Sequence, residues 1–317
     1  MAESPARGRA VRLGVSSCLL GRKVRYDGGD KYDRFVSRTL GKYFEFIPIC
    51  PEVAIGLGVP RAPIHLAGNP RAPRAVGVND PALDVTTRLA AYGKRMAREL
   101  GGVSGYVFKS RSPSCGLRRV PVGRRRGQGL YAKVFLATHP LLPAEEEDGL
   151  HDPARRDNFL ERVFAYRRWQ DLVAAGLTPA RLSGFHAAHR LALMAHGARH
   201  YPALGRLLRA RGPGMKAQAQ GYFRRFMRAL EEPATTARHA AVLRYIAGRV
   251  EKRLRPAEAA KLRETIRAYR GGSAALAAPL KLIRRHLRRH PDPALADQVY
   301  LHPTPRELAL RHGIRKL

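Results

Sequence analysis

The stretch VRLGVSSCLLG, residues Val11–Gly21, decides the fold of the N-terminal half of the chain. Its first five residues are mostly apolar and predict a β-strand, and the serines, cysteine and glycine that follow predict a turn where the strand ends. Further strands are predicted over Phe44–Ile49, Gly105–Phe108 and Leu130–Leu136, with helical spacing over Pro81–Leu100. Strands separated by a helix predict an α/β domain with a mainly parallel sheet.

The C-terminal half has the period of helices. Apolar residues recur at spacings of three and four over Arg155–Ala175, Thr178–Arg199, Gln218–Leu230, Thr235–Arg253, Pro256–Ala268 and Leu280–Arg289. The segment LLPAEEEDG, Leu141–Gly149, joins a proline to four consecutive acids and is predicted to be a linker. We therefore expect an α/β domain over residues 1–140, a linker over 141–150 and an all-α domain over 151–317.

The charge of the chain indicates a polyanionic partner. The net charge is +34, and residues 151–317 hold 34 Lys and Arg against 12 Asp and Glu, whereas residues 1–150 hold 25 against 13. Nucleic acid is the first candidate, with the helical half as its binding region. The basic helical segments GYFRRFMRAL (Gly221–Leu230) and LKLIRRHLRRH (Leu280–His290) favour RNA in particular. A coding sequence rich in G and C, which raises the content of arginine and alanine, is the alternative explanation.

No apolar run approaches the roughly 18 residues of a membrane span, and the charged stretch Met1–Arg12 is followed by no signal-peptide core. We therefore expect a cytoplasmic protein. Three cysteines, an odd and small number, argue against a disulfide framework in that compartment.

All three cysteines follow predicted strands in loops rich in Gly, Pro and Ser: Cys18, Cys50 and Cys115. The carboxyl ends of parallel strands share one edge of a sheet, so these cysteines are expected to meet there. Three thiolates suit an iron-sulfur cluster. Zinc bound by the three thiolates and His65 or water, and three buried thiols that act as small apolar groups, are the alternatives.

Four motifs in order resemble the thiouracil desulfidase family: GVSSCLLGRKVRYDGG (Gly14–Gly29), CPEVAIGLGVPR (Cys50–Arg61), DVT (Asp84–Thr86) and FKSRSPSCG (Phe108–Gly116). The resemblance implies a [4Fe-4S] cluster on Cys18, Cys50 and Cys115, with one iron that has no cysteine ligand. The segments Trp169–His196 and Tyr300–Leu308 resemble a YbgA-like helical domain. This pairing resembles desulfidases proposed to act on 4-thiouridine in tRNA.

The implied reaction is the hydrolytic, non-redox conversion of a thiocarbonyl C=S into C=O with release of sulfide. Such a reaction needs a base for the attacking water and a proton donor for the ring nitrogen. Glu52, two residues after Cys50, is the candidate base, and its alternative is a carboxylate that stabilises a helix N-terminus. Ser112 is the candidate donor or water-positioning group, and Ser114 is held in reserve.

Other polar side chains near the cysteine loops are candidates for substrate binding: Asp27, Lys31, Lys109 and Arg111. They would orient a thiolated uracil or its phosphate, or they are ordinary loop residues. Tyr26 or Tyr32 is a candidate to stack on a base that has left the helix stack.

Four histidines of the segment RLSGFHAAHRLALMAHGARHY lie on one side of a helical wheel: His186, His189, His196 and His200. They predict either a polar seam against a neighbouring helix, which we prefer, or a contact to phosphate, base or metal.

The sequence leaves three hypotheses for function. The first is a cluster-dependent desulfidase of 4-thiouridine in tRNA. The second has the same chemistry on free thiouracil or thionucleotides. The third is a non-catalytic iron-sulfur protein that binds RNA or senses redox state, for which Glu52 and Ser112 would be dispensable.

Overall fold

The computed structural model describes residues 10–209, 214–303 and 307. These residues divide into two compact units, one that ends at Phe159 and one that begins at Leu160. Within the described residues, no helix is both long and apolar enough to cross a lipid bilayer.

The first unit is the predicted α/β region with a parallel sheet at its centre. Its strands are β1 (Arg12–Ser16), β2 (Glu45–Ile49), β3 (Ile64–Asn69), β4 (Ala72–Gly77), β5 (Gly105–Phe108), β6 (Val120–Val122), β7 (Arg125–Gly127) and β8 (Ala144–Glu146). Its α-helices are α1 (Pro51–Ala54), α2 (Thr86–Glu99) and α3 (Leu130–Thr138), with 3-10 turns at Ser17–Leu20, Leu40–Lys42 and Asp148–His151 and a π-helical turn at Phe35–Thr39.

Sheet A has the order β2-β1-β5-β8, and every neighbouring pair is parallel. On the strand β1, Gly14 lies opposite Tyr106 of β5. A Cβ at Gly14 would lie 2.4 Å from the Tyr106 ring, so the buried ring needs glycine as its neighbour. Because all four strands run in the same direction, the residues after β1, β2 and β5 reach one edge of the sheet.

A second sheet was not predicted. Sheet B has the order β4-β3-β6-β7, in which β3 and β6 are parallel and the two outer pairs are antiparallel. Its apolar side chains form a core with α2 and α3 that comprises Ile64, Leu66, Ala75, Val85, Leu89, Val120, Val122 and Leu130.

The structure corrects the predicted strand at Leu130–Leu136, which is the helix α3. Leu130, Tyr131, Ala132 and Phe135 are all buried, so the segment is apolar on most of its sides. A short apolar run of this kind has no period that separates a buried strand from a buried helix.

The structure also corrects the predicted linker. Within it, Ala144–Glu146 forms β8, the edge strand of sheet A. Three of the four acids of this segment, Glu145, Glu146 and Glu147, are buried. Glu145 pairs with Arg155 at 2.7 Å, and Glu146 accepts hydrogen bonds from the backbone of residues 117 and 118. An acidic run predicts a solvated segment only when its charges have no partners in the fold.

The second unit is helical in its described residues, as predicted. Its helices are α4 (Pro153–Ala174), which starts in the first unit, α5 (Pro179–Ala188), α6 (Arg190–His196), α7 (His200–Arg209), α8 (Met215–Glu231), α9 (Thr236–Val250), α10 (Pro256–Arg270), α11 (Ala277–Arg289) and α12 (Pro293–Ala296). A 3-10 turn covers Glu251–Arg253. The single helix predicted over Thr178–Arg199 is divided at His189, and part of the motif Tyr300–Leu308 lies outside the described residues.

Candidate active site

Three parallel strands deliver the three cysteines to one cavity. Cys18 lies in the 3-10 turn after β1, Cys50 directly follows β2, and Cys115 lies in the loop after β5. All three line the same cavity of about 480 Å³. The predicted convergence of the cysteines is therefore confirmed, and its cause is the parallel order of β2, β1 and β5.

The thiols are free and largely withdrawn from water. Cys18 and Cys115 are buried, and Cys50 is half-buried. Burial, with a smaller contribution from Cys50, raises the pKa of Cys18 to about 11. Burial likewise raises the pKa of Cys50 and, well above its usual range, that of Cys115. Three buried thiols with raised pKa values are suited to a cofactor that contains metal ions, which would stabilise all three thiolates together.

Local backbone structure holds each cysteine in place. Cys50 is extended and precedes Pro51, the first residue of α1, so that its carbonyl accepts the hydrogen bond from Ala54. The carbonyl of Cys18 accepts hydrogen bonds from Gly21 and Lys31, which closes the turn after β1. Gly21 has a φ of +82°, a conformation that favours glycine.

Glu52 is fixed in the cavity wall by two partners. Its Oε2 accepts hydrogen bonds from Arg61 Nε at 3.1 Å and Nη2 at 2.8 Å, and its Oε1 accepts one from Ser114 Oγ at 2.8 Å. The Arg61 side chain is only 6% exposed and that of Glu52 is 14% exposed. A buried fork of this kind orients the carboxylate in one direction.

Arg61 connects the carboxylate to the Cys50 loop. Its Nη1 and Nη2 both donate to the carbonyl of Val24 at 3.0 Å, the same oxygen that lies 3.7 Å from Cys50 Sγ. Sequence reasoning did not identify Arg61 as a site residue. A contact between residues nine positions apart across a Gly-rich loop leaves no periodic signal in the sequence.

Ser112 organises the loop that carries Cys115. Its Oγ accepts hydrogen bonds from the backbone N–H groups of Cys115 at 3.0 Å and Ser114 at 3.3 Å, and its carbonyl accepts one from Gly116. With its oxygen occupied by these donors, the hydroxyl proton is left to donate. Ser112 lines the cavity beside Cys115, so that proton is available to a bound molecule.

The structure brings some of the predicted polar residues to the cavity and leaves others outside. Besides the cysteines, Glu52 and Ser112, the lining includes Tyr26, Lys31, Lys109 and Arg111. Asp27 does not line the cavity and is held by Arg25 at 3.3 Å and by the backbone of Gly29. Ser114 is buried behind Glu52, and Tyr32 is also outside the lining.

Lys109 and Arg111, two cations of the cavity lining, differ in whether a carboxylate neutralises them. The Lys109 ammonium is paired with Glu147, whose other oxygen accepts from the backbone of Ser110 at 2.7 Å. Arg111 is exposed and has no ion pair within the described residues, and its backbone is left-handed with a φ of +58°. A residue other than glycine with a left-handed backbone conformation is strained, and such residues occur often at functional sites.

The zinc alternative with His65 finds no support. His65 is exposed on β3 and is absent from the cavity lining, whereas its neighbour Ile64 faces the cavity. Among the described residues, no group of three or more His, Cys, Asp or Glu side chains is arranged to hold a single metal ion.

The four histidines of the second unit bind other parts of their own unit. His186 Nδ1 lies 3.2 Å from Tyr222 Oη, and His189 Nδ1 donates to the carbonyl of Phe185 at 2.7 Å. His196 lies 3.1 Å from Glu161, and His200 lies 3.2 Å from Glu232. These are the contacts of a polar seam between packed helices, the interpretation preferred from the sequence.

Two family models match the chain, one in each half. Residues 13–147 match the 2-thiouracil desulfurase model, and residues 190–305 match the model of a protein family of unknown function, DUF1722.

One curated protein and one solved structure are also similar to parts of this chain. The uncharacterized protein YbgA of Escherichia coli strain K12 is 30% identical over 159 residues, which are 50% of this chain and 94% of YbgA. Among solved structures, the [4Fe-4S]-dependent thiouracil desulfidase TudS is 30% identical, with a TM-score of 0.36, and the match covers 45% of this chain and 94% of that chain. The chain therefore belongs to the family of YbgA, and it carries a region similar to the 2-thiouracil desulfurase family over residues 13–147 and one similar to the DUF1722 family over residues 190–305.

Proposed function

We propose that this protein removes the sulfur of a thiolated uracil, that its substrate is 4-thiouridine in tRNA, and that it works in the cytoplasm with a [4Fe-4S] cluster. The observation that carries the proposal is the cavity where Cys18, Cys50 and Cys115 meet beside Glu52 and Ser112. The match to the 2-thiouracil desulfurase model over the same region supports it.

The residues around the cavity fit the cluster. Thiolates are the usual ligands of iron-sulfur clusters, and three free thiols line a space of about 480 Å³. Three cysteines leave one iron of a cubane without a protein sulfur. Bound there, the cluster would supply a Lewis acid for a soft thiocarbonyl sulfur. Cys18, Cys50 and Cys115 would hold it.

In the proposed reaction, water and a thiocarbonyl give a carbonyl and hydrogen sulfide. The C=S bond breaks and a C=O bond forms at the same ring carbon, so no external electron donor or acceptor is needed. Glu52 takes the proton from the attacking water. Arg61 and Ser114 hold its carboxylate in one orientation, which places the base at a fixed point in the cavity.

Ser112 is the proposed proton donor to the substrate. Its oxygen accepts the backbone hydrogen bonds of Ser114 and Cys115, and its hydroxyl donates to the ring nitrogen or positions the water. Lys31 and Arg111, exposed at the cavity, orient the base or its phosphate. Lys109, neutralised by Glu147, holds the loop after β5.

The second unit binds the RNA through basic stripes on two helices. The outer face of α8 exposes Lys216, Arg224, Arg225 and Arg228, and that of α11 exposes Lys281, Arg285 and Arg288. None of these seven cations has an ion pair with an acid in the part of the chain that the structure describes. Unpaired cations on a rigid helix suit phosphates, which they bind with release of counterions.

Nucleoside mass spectrometry of tRNA tests the proposal. The anaerobically reconstituted protein is incubated with tRNA that contains 4-thiouridine and, in parallel, with free thiouracil. We expect 4-thiouridine to fall while uridine and sulfide rise in equal amounts. Loss from the free base alone would limit the activity to thiouracil or thionucleotides, and loss from neither would contradict a desulfidase.

A further inference from the structure

The hairpin of β6 and β7 carries a dense set of arginines on the catalytic unit. Residues Val120–Gly127 form this arginine hairpin, in which Val122 pairs with Arg125 and Pro121 with Arg126. Arg124, Arg125 and Arg126 are exposed, and Arg119 is exposed directly before the hairpin. The strand β7 is the edge of sheet B, so no other described strand covers this side.

The charges of the hairpin are unpaired. In the described residues, none of Arg119, Arg124, Arg125 and Arg126 has an ion pair with a carboxylate. The neighbouring Arg118 differs, because it binds the buried Glu145 at 2.6 Å. Arg118 thus stabilises the fold through an acidic partner, whereas the arginines of the hairpin face the solvent.

One end of the hairpin is hydrogen-bonded to β8 and the other to the loop that carries Cys115. Before it, the backbone N–H groups of Leu117 and Arg118 donate to Glu146 Oε1 at 2.8 and 3.1 Å. After it, Gly129 N donates to the carbonyl of Gly116 at 2.7 Å, and Leu130 N to that of Pro113 at 2.9 Å. The hairpin leaves the loop of Ser112 and Cys115 and returns to it. The backbone of the hairpin is therefore joined at both ends to elements that support the Cys115 loop, which lines the cavity.

We propose that the arginine hairpin binds phosphates of the RNA strand that carries the thiolated base, so that the catalytic unit itself holds the RNA. The inference rests on the proposed function and adds a second RNA contact to that of the helical unit. A base that enters a cavity must leave its stack, and backbone contacts beside the cavity fix the strand as it does so. Arginine suits this role because its fork matches phosphate oxygens.

If the arginines of the hairpin only protected the edge of sheet B, different results would be expected. Charged side chains on an edge strand also prevent sheets from joining edge to edge. In that case neutral variants would aggregate, but they would bind and convert RNA as the native protein does.

The test is the variant Arg124→Gln/Arg125→Gln/Arg126→Gln in the reconstituted full chain. We expect its affinity for tRNA at low salt to fall at least about tenfold, and its kcat/KM for tRNA to fall in parallel. Its turnover of free thiouracil should be unchanged. The slope of log affinity against log salt should become shallower by about 2, since each single-strand phosphate contact contributes about 0.7.

Two further variants serve as controls. Lys94→Gln/Arg95→Gln/Arg98→Gln removes the same number of positive charges from the exposed face of α2. We expect its tRNA affinity to stay within about twofold of the native value, a change smaller than the loss of one phosphate contact would cause. Arg124→Lys/Arg125→Lys/Arg126→Lys keeps the charge and should retain most of the affinity. Unchanged circular dichroism would show that the glutamine variant is folded.

Equal tRNA affinity of the native chain and the glutamine hairpin variant would overturn the inference. So would an equal loss of affinity in the α2 control, or an equal loss of turnover on tRNA and on free thiouracil. If the native chain binds tRNA without converting it, the proposed function fails, and the comparison of affinities still decides the role of the hairpin.

Discussion

At the scale of residues, the site depends on a carboxylate whose position is set by its neighbours. Glu52 is bound on one oxygen by Arg61 and on the other by Ser114. A helix-capping role, the alternative from the sequence, would leave the carboxylate directed to backbone N–H groups. Its hydrogen bonds go instead to the side chains of Arg61, which lines the cavity, and of Ser114, which is buried behind it, and this fixed orientation favours a chemical role.

Removal of the Glu52 charge should abolish most of the turnover. We expect Glu52→Gln to lower kcat by about 10² to 10⁴, the usual contribution of a general base, with iron and sulfide content unchanged. Steady-state release of sulfide measures the effect. The matched control is Glu45→Gln, which removes an exposed carboxylate at the start of β2 and should keep native kcat. Full turnover in Glu52→Gln with an intact cluster would remove this residue from the mechanism.

Loss of Arg61 should act through Glu52. We expect Arg61→Met to lower stability by about 3 kcal/mol, because it leaves a largely buried carboxylate without its cation, and to lower kcat as the base loses its orientation. Chemical unfolding and sulfide release measure the two effects. The double variant Arg61→Met/Glu52→Gln should regain part of the stability but no activity. If the two stability changes simply add, the residues are not coupled.

At the scale of elements, sequence reasoning succeeded where the chain order itself determines position. The ends of β1, β2 and β5 meet because parallel neighbours must bring their carboxyl ends together, so the convergence of Cys18, Cys50 and Cys115 could be predicted. The strand predicted over Leu130–Leu136 was wrong because a uniformly apolar run has no period. Sheet B was missed because Gly, Pro and Arg interrupt the apolar pattern of its strands.

The start of α3 is the element that fixes the Cys115 loop. A Cβ on Gly129 would lie 2.6 Å from the backbone of Ser114, so alanine cannot be accommodated without a shift of that loop. We expect Gly129→Ala to lower the iron content after reconstitution by more than half. Gly101→Ala, whose Cβ would meet nothing closer than 3.8 Å, is the control and should bind iron normally. Equal iron content in both variants would show that the loop tolerates the shift.

The junction of α5 and α6 should make the helical unit sensitive to acid. Burial, with a smaller contribution from Arg168, lowers the pKa of His189 from 6.5 to about 3. Below pH 6.5 the unfolded chain therefore binds a proton that the folded chain does not, and stability falls as the pH decreases toward 3. The loss should reach about 1.4 kcal/mol per pH unit for this group.

Urea unfolding at pH 7, 6 and 5 measures this slope. His189→Gln should make the slope shallower. An identical slope in the native chain and in His189→Gln would show that His189 does not titrate on unfolding.

At the scale of the whole molecule, the sequence gives the surplus of positive charge, and only the structure shows which of the cations have acidic partners. The charge surplus predicted an anionic partner and the helical half as its site, yet it could not show which cations are already paired. The structure separates Arg118, bound to Glu145, from Arg124 and its neighbours, which are not. The pair of Glu52 and Arg61 was equally hidden, because it is formed by folding and has no periodic signal.

We expect the protein to carry a [4Fe-4S] cluster on Cys18, Cys50 and Cys115. Iron, zinc and acid-labile sulfide, together with a Mössbauer spectrum, should be measured on the anaerobically reconstituted chain and on the three single Cys→Ser variants. We predict about four iron and four sulfide per chain, one iron distinct from the other three, and loss of the cluster in Cys18→Ser, Cys50→Ser and Cys115→Ser. Stoichiometric zinc, or a cluster that persists in any of the variants, would contradict the account.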